Sequence, residues 1–245
     1  MKVLFIGDSI TRGTQGVDWI KMLEKDHPYW IMDNAGINGE TLNKISQRLK
    51  THLGENSNYD AVVLQSGTND ILLPIFKHRG LWFRQAYRYQ VKSGNIPSGP
   101  AEFESLLRRT IEYVQKNTKT QIILPTIGCI NENLVAETNA KLFSYNSIIK
   151  RTAKDFNCIL ADVSEAFQND LSRKKTQDYC ADNFSNTAVL DLVSCNLGWA
   201  DALSRKRKLH LTIDGVHLNT KGARIFQEKI DTAILLTKEK SLMFI

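Results

Sequence analysis

The stretch Lys2-Val3-Leu4-Phe5-Ile6-Gly7-Asp8-Ser9-Ile10-Thr11 is a short apolar run that ends at a glycine and continues directly into polar residues. A run of this kind is typical of a buried strand that leads into a turn. Similar runs recur along the chain and predict four more strands, at residues 30–34, 61–65, 121–125 and 158–162. Their aliphatic and β-branched composition suits strands that are buried on both faces of a sheet.

Between these runs, apolar residues recur every three to four positions, which predicts helices that pack one face against a sheet. The predicted helices span residues 17–25, 41–53, 101–116, 138–155 and 220–236. Strands that alternate with helices imply right-handed crossovers and parallel strands. The predicted fold is therefore α/β: a three-layer α/β/α sandwich with a mainly parallel five-stranded sheet.

Two segments, at about 71–100 and 163–211, break this alternation. The chain of 245 residues is long enough for one domain with a large core, so we predict a single domain over 1–245 with two insertions. Long segments without a regular pattern are commonly lids or binding walls. In the first insertion, Trp82, Phe83 and Tyr87 are candidate substrate contacts, but they would serve equally well as the core of a helical insertion.

Composition and charge exclude several classes of protein. Apolar residues make up 42% of the chain and charged residues 24%, which argues against a disordered or fibrous chain. The net charge of +6 is partly concentrated at residues 173–175 and 205–208, outside any recognisable nucleic-acid-binding motif, so no nucleic-acid partner is expected. No run approaches the roughly 18 apolar residues of a membrane span, so stable membrane insertion is not expected either.

The cysteines and the first residues bear on cofactors and location. Four cysteines form no Cys-x-x-Cys pair, which disfavours a zinc or dithiol site. The cysteines are expected to be free thiols. Whether Cys180 and Cys195 form a disulfide is left undecided by the sequence. Because Gly7-Asp8-Ser9 leaves no room for a leader ahead of it, we expect a cytoplasmic protein, or a secreted one if a signal peptide has been removed.

Three polar motifs follow the first three predicted strands: residues 7–11, residues 34–41, and Gly67-Thr68-Asn69-Asp70. Open parallel sheets bind ligands at the carboxyl ends of their strands, so these motifs should converge in space. A fourth motif, Asp214-Gly215-Val216-His217-Leu218-Asn219, precedes the last predicted helix. The four motifs together predict one site at this edge of the sheet.

The residue types in these motifs suit ester hydrolysis. A serine hydroxyl is a weak nucleophile, and His217 oriented by Asp214 supplies the base that Ser9 needs. The N–H groups of Ser9 and Gly39 and the side-chain amide of Asn69 are candidate donors to an oxyanion. Considered alone, Ser9 could be a helix N-cap and Asp214 a turn former.

In this order the four motifs resemble blocks I, II, III and V of the SGNH superfamily of serine esterases and lipases, also called the GDSL family. The resemblance extends over residues 2–227. It implies a flavodoxin-like fold, Ser9 as nucleophile with Asp214 and His217 completing a triad, and Gly39 and Asn69 as oxyanion donors. It also implies that no metal or organic cofactor takes part. We add Asp8 as a candidate substrate contact.

The expected activity is hydrolysis of a carboxylic ester through an acyl-enzyme, on a small-molecule or glycan ester. A short acyl ester, such as an O-acetyl group on a sugar or glycan, is the first expectation. An acyl thioester or a lysophospholipid is the second. Two further alternatives stay open: an O-acyltransferase that uses the same triad, and a non-catalytic carbohydrate-binding module.

Overall fold

Five parallel strands form the centre of the protein, in a computed structural model that describes residues 1–55, 58–180 and 190–242. The strands are β1 Lys2–Gly7, β2 Ile31–Gly36, β3 Ala61–Leu64, β4 Gln121–Pro125 and β5 Ile159–Ala161. Their order in the sheet is β2-β1-β3-β4-β5, and every neighbouring pair is parallel. This confirms the predicted five-stranded sheet, and the order is that of flavodoxin-like folds.

The helices cover both faces of this sheet. In the described residues they are α1 Ser9–Arg12, α2 Trp19–Asp26, α3 Leu42–Glu55, α4 Thr68–Lys77, α5 Leu81–Lys92, α6 Pro100–Asn117, α7 Glu137–Asp155, α8 Val163–Leu171, α9 Asp191–Asn196, α10 Ala200–Lys206 and α11 Thr220–Leu242. Helices α3, α6 and α7 lie side by side on one face, and α11 packs with α2 and α8 on the other. The predicted three-layer sandwich is confirmed.

The core fills the space between the layers with side chains from the strands and the helix faces. In β1, Val3, Leu4, Phe5 and Ile6 are all fully buried, as expected for a central strand covered on both faces. Trp19 of α2 packs edge-on against Phe5, with ring centroids 5.5 Å apart. Such aromatic pairs contribute beyond the area that they bury, so this contact fixes α2 on the sheet.

The two irregular segments contain more regular structure than the sequence pattern indicates. Residues 71–100 include most of α4 and all of α5, and residues 163–211 include α8, α9 and α10. Pro74 lies inside α4 and Gly80 separates α4 from α5, and both residues interrupt the apolar pattern that predicts a helix. Residues 181–189 of the second segment lie outside the described residues.

The strand order places a crevice beside β1. The connection from β1 leads outward to β2, whereas the next connection crosses over β1 to β3 on its other side. Where crossovers diverge in this way, the carboxyl ends of the two strands leave an open crevice between their loops. Ile6 pairs with Leu64 at this end, so the loops that carry Ser9 and Asn69 start side by side.

None of the helices within the described residues combines the length and the apolarity that crossing a membrane requires.

Candidate active site

Ser9, His217 and Asp214 form a continuous hydrogen-bonded chain. Ser9 Oγ lies 2.9 Å from His217 Nε2, and His217 Nδ1 lies 2.7 Å from Asp214 Oδ2. An ionised carboxylate only accepts hydrogen bonds, so Nδ1 carries the ring proton and Nε2 accepts from the serine hydroxyl. Asp214 is fully buried, whereas Ser9 and His217 remain 6% and 8% exposed. A small molecule can therefore reach Ser9 and His217 but not Asp214.

Ser9 owes its position to the end of β1. Asp8 is the N-cap of α1: its Oδ1 accepts from the Ile10 N–H at 2.9 Å. Ser9 is therefore the first residue of the helix, where backbone N–H groups have no acceptor within the helix. The N-cap role considered as an alternative for Ser9 thus belongs to Asp8, and the Ser9 hydroxyl contacts His217 instead.

A tight loop between α10 and α11 holds His217 and Asp214. Thr212 and Leu218 pair as an antiparallel bridge, and the Ile213 N–H donates to the His217 carbonyl oxygen at 2.8 Å. At the tip, Gly215 has a φ of +91°, and a Cβ there would lie 2.2 Å from the Tyr179 carbonyl oxygen. Only glycine satisfies both constraints without strain.

Burial and mutual attraction shift the pKa values of the two ionisable groups. Burial by itself raises the pKa of the Asp214 carboxyl. The charge and hydrogen bonds of His217 lower this pKa by a larger amount, so the net pKa lies below its ordinary value. For His217, burial lowers the pKa, whereas the Asp214 carboxylate raises it by more, and the net pKa lies above its ordinary value. The pair is therefore arranged to stabilise a proton on the imidazole.

The three candidate oxyanion donors converge on the same cleft, because Ser9, Gly39 and Asn69 all line it. One N–H of the Asn69 amide donates to the Glu40 carbonyl oxygen at 3.0 Å, and among the described residues no acceptor is bonded to the second N–H. Gly39 has a φ of +81°, and its carbonyl oxygen accepts from Asn95 Nδ2 at 2.7 Å. Hydrogen bonds thus fix the Asn69 side chain and the Gly39 backbone at the cleft.

Asp8, a candidate substrate contact, is not among the residues that line the cleft. Its side chain is fully buried and its second oxygen accepts from Gln65 Nε2 at 3.0 Å. Burial raises the pKa of the Asp8 carboxyl above its ordinary value, although the hydrogen bonds of Ile10 and Gln65 oppose this. Asp8 instead joins the ends of β1 and β3 through Gln65.

The cleft beside Ser9 has a volume of about 270 Å³ and two chemically different walls. One wall is apolar and belongs mainly to α4 and α5; it consists of Leu72, Leu73, Phe76, Phe83 and Ala86. The polar part of the lining carries side-chain amides, from Gln15, Asn38 and, near the end of α5 itself, Gln90. A ligand that fits this cleft has an apolar part and a part rich in hydrogen-bonding groups.

Of the three aromatic candidates in the first insertion, only Phe83 lines this cleft. It is buried and packs against Phe76, with ring centroids 4.8 Å apart. Trp82 is 64% exposed and Tyr87 is partly buried, and neither belongs to the cleft lining. Trp82 directly precedes Phe83 in α5, and consecutive helix positions point about 100° apart, so the two side chains face different surroundings.

Several supporting residues carry no signal in the sequence. Gln65 donates to Asp8 and accepts from the Asp8 N–H at 3.1 Å, and Asn95 donates to the Gly39 carbonyl oxygen.

Arg207 forms a two-pronged ion pair with the buried Asp191 and donates to the Ile213 carbonyl oxygen at 2.7 Å. One arginine of the basic run at 205–208 is thus a partly buried support for the loop that carries Asp214 rather than a fully solvated charge.

Cys195 also belongs to the surroundings of this loop. Its Sγ accepts a hydrogen bond from the Gly16 N–H at 3.2 Å, and burial raises the pKa of its thiol. Within the described residues, Cys180 and Cys195 are not joined by a disulfide.

Residues 5–225 match the family described as the GDSL-like Lipase/Acylhydrolase family. The chain belongs to this family. The match confirms the resemblance of the four motifs, and it makes the protein a carboxylic ester hydrolase of the GDSL type. Comparison with curated protein sequences gave no match.

Solved structures with the same fold include three hydrolases. An acetyl xylan esterase, AlAXEase, is 23% identical with a TM-score of 0.65, over 96% of this chain and 100% of that chain. Axe2, an acetylxylan esterase from Geobacillus stearothermophilus, is 22% identical with a TM-score of 0.63, over 95% and 93%. LAE5, an alpha/beta hydrolase enzyme from the metagenome of Lake Arreo, Spain, is 20% identical with a TM-score of 0.62, over 95% and 94%. These neighbours share the fold of this chain.

Proposed function

We propose that this GDSL-type hydrolase removes short acyl groups, in particular O-acetyl groups, from a sugar or glycan through an acyl-enzyme on Ser9. The observation that carries the proposal is the unbroken chain from Ser9 Oγ to His217 to the buried Asp214, at 2.9 and 2.7 Å, on the wall of a cleft that also holds three amide donors. Nucleophile, base and oxyanion donors within one site are what acyl transfer requires.

In the first half of the reaction, Ser9 Oγ attacks the ester carbonyl carbon and its proton passes to His217 Nε2. The negative charge that develops on the carbonyl oxygen is stabilised by the N–H groups of Ser9 and Gly39 and by the free N–H of Asn69. The tetrahedral intermediate collapses, the bond to the alcohol oxygen breaks, and the alcohol leaves with the proton from His217. The acyl group then remains on Ser9.

In the second half, water takes the place of the alcohol. His217 accepts a proton from the water as its oxygen attacks the acyl carbon, and the bond to Ser9 Oγ breaks. Ser9 regains its proton from His217 and the carboxylic acid leaves. Asp214 stabilises the charged imidazole in both halves and stays ionised, in keeping with its lowered pKa.

The cleft supports a short acyl group on a polar alcohol. A volume of about 270 Å³ lies at the lower end of ligand pockets, and it leaves room for one sugar unit with a small acyl group rather than for a long chain. The amides of Gln15, Asn38 and Gln90 offer both donors and acceptors to sugar hydroxyls. Two solved structures of the similar Axe2 are each described as a catalytic mutant. In one a histidine of that enzyme is replaced by alanine, and in the other a serine is.

The apolar wall formed by α4 and α5 favours a second candidate, an acyl thioesterase or lysophospholipase activity on longer acyl chains. An acyltransferase would use the same triad, with a sugar hydroxyl in place of water. A series of p-nitrophenyl esters of increasing chain length, assayed beside acetylated sugars with and without an acceptor sugar, separates the three. Acetyl preference with free acetate as the product supports the proposal. A preference for long chains, or acetyl transfer to the acceptor, contradicts it.

The direct test of the nucleophile is Ser9→Ala. Turnover of p-nitrophenyl acetate should fall on the order of 10³-fold or more, since the variant lacks the attacking oxygen and loses little packing. A fluorophosphonate probe should label Ser9 in the wild type, as peptide mapping would reveal. Ser147→Ala, an exposed serine of α7, is the matched control and should keep full activity. Full activity in Ser9→Ala would contradict the assignment.

A further inference from the structure

Glu132 is a fully buried carboxylate that the proposed reaction does not use. It lies between β4 and α7 and accepts four hydrogen bonds. Its Oε1 accepts from the N–H groups of Leu211 and Thr212 at 2.7 and 2.8 Å and from Thr212 Oγ1 at 2.8 Å. Its Oε2 accepts from the His210 N–H at 2.6 Å. Within the described residues it forms no ion pair within 4.0 Å, so the four hydrogen bonds, together with the charge of Lys221 acting from further away, stabilise the buried carboxylate.

The four donors belong to the segment that leads into Asp214. Thr212 transmits the contact further, because its hydroxyl donates to Glu132 and accepts from the Gly215 N–H at 3.1 Å. The neighbouring Asn131 adds a second attachment, since its N–H donates to the Gly215 carbonyl oxygen at 2.7 Å. The short segment after β4 therefore holds the loop that carries Asp214 and His217 at its entry and at its tip.

We propose that Glu132 is a positioning residue, which acts through Thr212 to hold Asp214 and His217 in register with Ser9. The proposal rests on the proposed function of that triad. A carboxylate suits this position because all its lone pairs accept, and every group that faces it is a donor. An amide at the same place keeps one accepting oxygen but turns an NH₂ group toward an N–H, which leaves donors unsatisfied.

The pH behaviour of His217 offers a measure of its alignment that does not depend on turnover. The charged groups that face His217 are Asp214 on its own loop, Asp8 after β1 and Asp191 of α9, and each of them raises its pKa. Of these three, only Asp214 is bonded to the ring. A loop that shifts Asp214 away from Nδ1 therefore lowers the pKa of His217, while the other two carboxylates stay in place.

The test compares Glu132→Gln and Thr212→Val with Thr212→Ser, which retains the hydroxyl. Both Glu132→Gln and Thr212→Val should lower kcat for p-nitrophenyl acetate by roughly 10- to 100-fold, because small misplacements of reacting groups carry costs of that size. KM should stay close to the wild-type value, because the cleft walls are not altered. Thr212→Ser should keep kcat near the wild-type value. Glu137 is an exposed carboxylate of α7 with 84% of its side chain accessible, and Glu137→Gln should leave kcat unchanged.

NMR titration of the His217 ring, assigned by comparison with His217→Asn, supplies the second measurement. The pKa of His217 should be lower in Glu132→Gln and Thr212→Val than in the wild type, and circular dichroism should confirm that each variant is folded. If Glu132→Gln does not fold, the Thr212 pair decides. Unchanged kcat and unchanged His217 pKa in folded Thr212→Val would overturn the proposal. A wild type that hydrolyses no ester would contradict the proposed function instead, and the titration would still test Glu132.

Discussion

At the scale of single residues, the proposed chemistry depends on a charge that is kept away from water. Asp214 is fully buried, yet the pKa of its carboxyl is lowered because His217 and two backbone N–H groups, of Val216 and His217 itself, donate to it. A buried carboxylate with these partners stays ionised and raises the pKa of the imidazole beside it. In the proposed reaction, Asp214 thereby strengthens His217 as a base.

This arrangement predicts a pH dependence. Only neutral His217 accepts the serine proton, so activity should fall as the pH drops through the pKa of His217, which lies above the ordinary histidine value.

Asp214→Asn should lower kcat by about 10⁴-fold and move this fall in activity to lower pH, since the neutral amide no longer stabilises the imidazolium. The measurement is kcat/KM for p-nitrophenyl acetate from pH 5 to 9. An unshifted profile in an active Asp214→Asn would contradict the role of Asp214.

Asn69 provides a separate prediction at the same scale. Its free N–H is expected to bind the carbonyl oxygen more strongly as negative charge develops there, so Asn69→Ala should lower kcat by about 10²- to 10³-fold. KM should change much less. Steady-state kinetics on p-nitrophenyl acetate separate the two constants. A loss confined to KM would make Asn69 a substrate-binding residue and would contradict its assignment as an oxyanion donor.

At the scale of elements, α4 and α5 connect the oxyanion motif to the acyl wall. Helix α4 begins at Thr68, directly before Asn69, and its Leu72, Leu73 and Phe76 continue along the cleft toward Phe83 of α5. In the proposed function, the start of α4 therefore places the Asn69 oxyanion donor, and the next two turns place side chains that contact the acyl group. The first insertion is built into the site through its buried face and not through its exposed aromatic residues.

Phe83→Leu tests this role of α5. Leucine keeps the wall apolar but removes the outer part of the ring, so the pocket enlarges and preference should move toward longer acyl chains. Hydrolysis of the acetyl ester should largely survive, because the triad is not altered. The measurement is kcat/KM across p-nitrophenyl esters from acetate to octanoate. Trp82→Ala, at an exposed neighbouring position, is the matched control and should keep the wild-type preference. Identical preferences in both variants would place the substrate away from α5.

At the scale of the whole molecule, a buried carboxyl links the helices that surround the site. Asp70 accepts from the N–H groups of Leu42 and Ser98 at 3.0 and 2.9 Å, and so joins α4 to the start of α3 and to the segment before α6. Burial nevertheless raises the pKa of Asp70 to about 7, above the model-peptide value of 3.8. The folded protein therefore holds a proton on this group over a pH range in which the unfolded chain has released it.

A carboxyl whose pKa is raised by folding makes the free energy of unfolding fall as the pH rises, here between about 4 and about 7, and no further above that range. In Asp70→Asn this contribution is absent, so the free energy of unfolding should depend less steeply on pH in the same window. Lost hydrogen bonding would add a constant offset only. Urea unfolding at intervals from pH 4 to 8 supplies both curves. Parallel curves for the variant and the wild type would show that Asp70 does not titrate in this range.

The amino-acid sequence by itself determined the sheet, the helices that flank it, and the residues proposed for the chemistry. Apolar runs and helical periodicity are local properties, so the strands were predicted to within about two residues of their observed ends. Ser9, His217, Asp214 and Asn69 stand in short motifs whose residue types are set by what acyl transfer needs. The same local reading left Pro74 and other breaks as interruptions, and so it missed the helices α4 and α5.

Only the tertiary structure decided which side chains face the cleft and which groups hold the catalytic motifs. Trp82 and Phe83 are neighbours in an aromatic segment, and the rotation between successive helix positions sends one to solvent and the other to the cleft. Gln65 meets Asp8 across 57 residues and Glu132 meets His210 across 78. Such partners follow no local pattern, because a buried polar group has to find its donor or acceptor wherever the packed chain brings one.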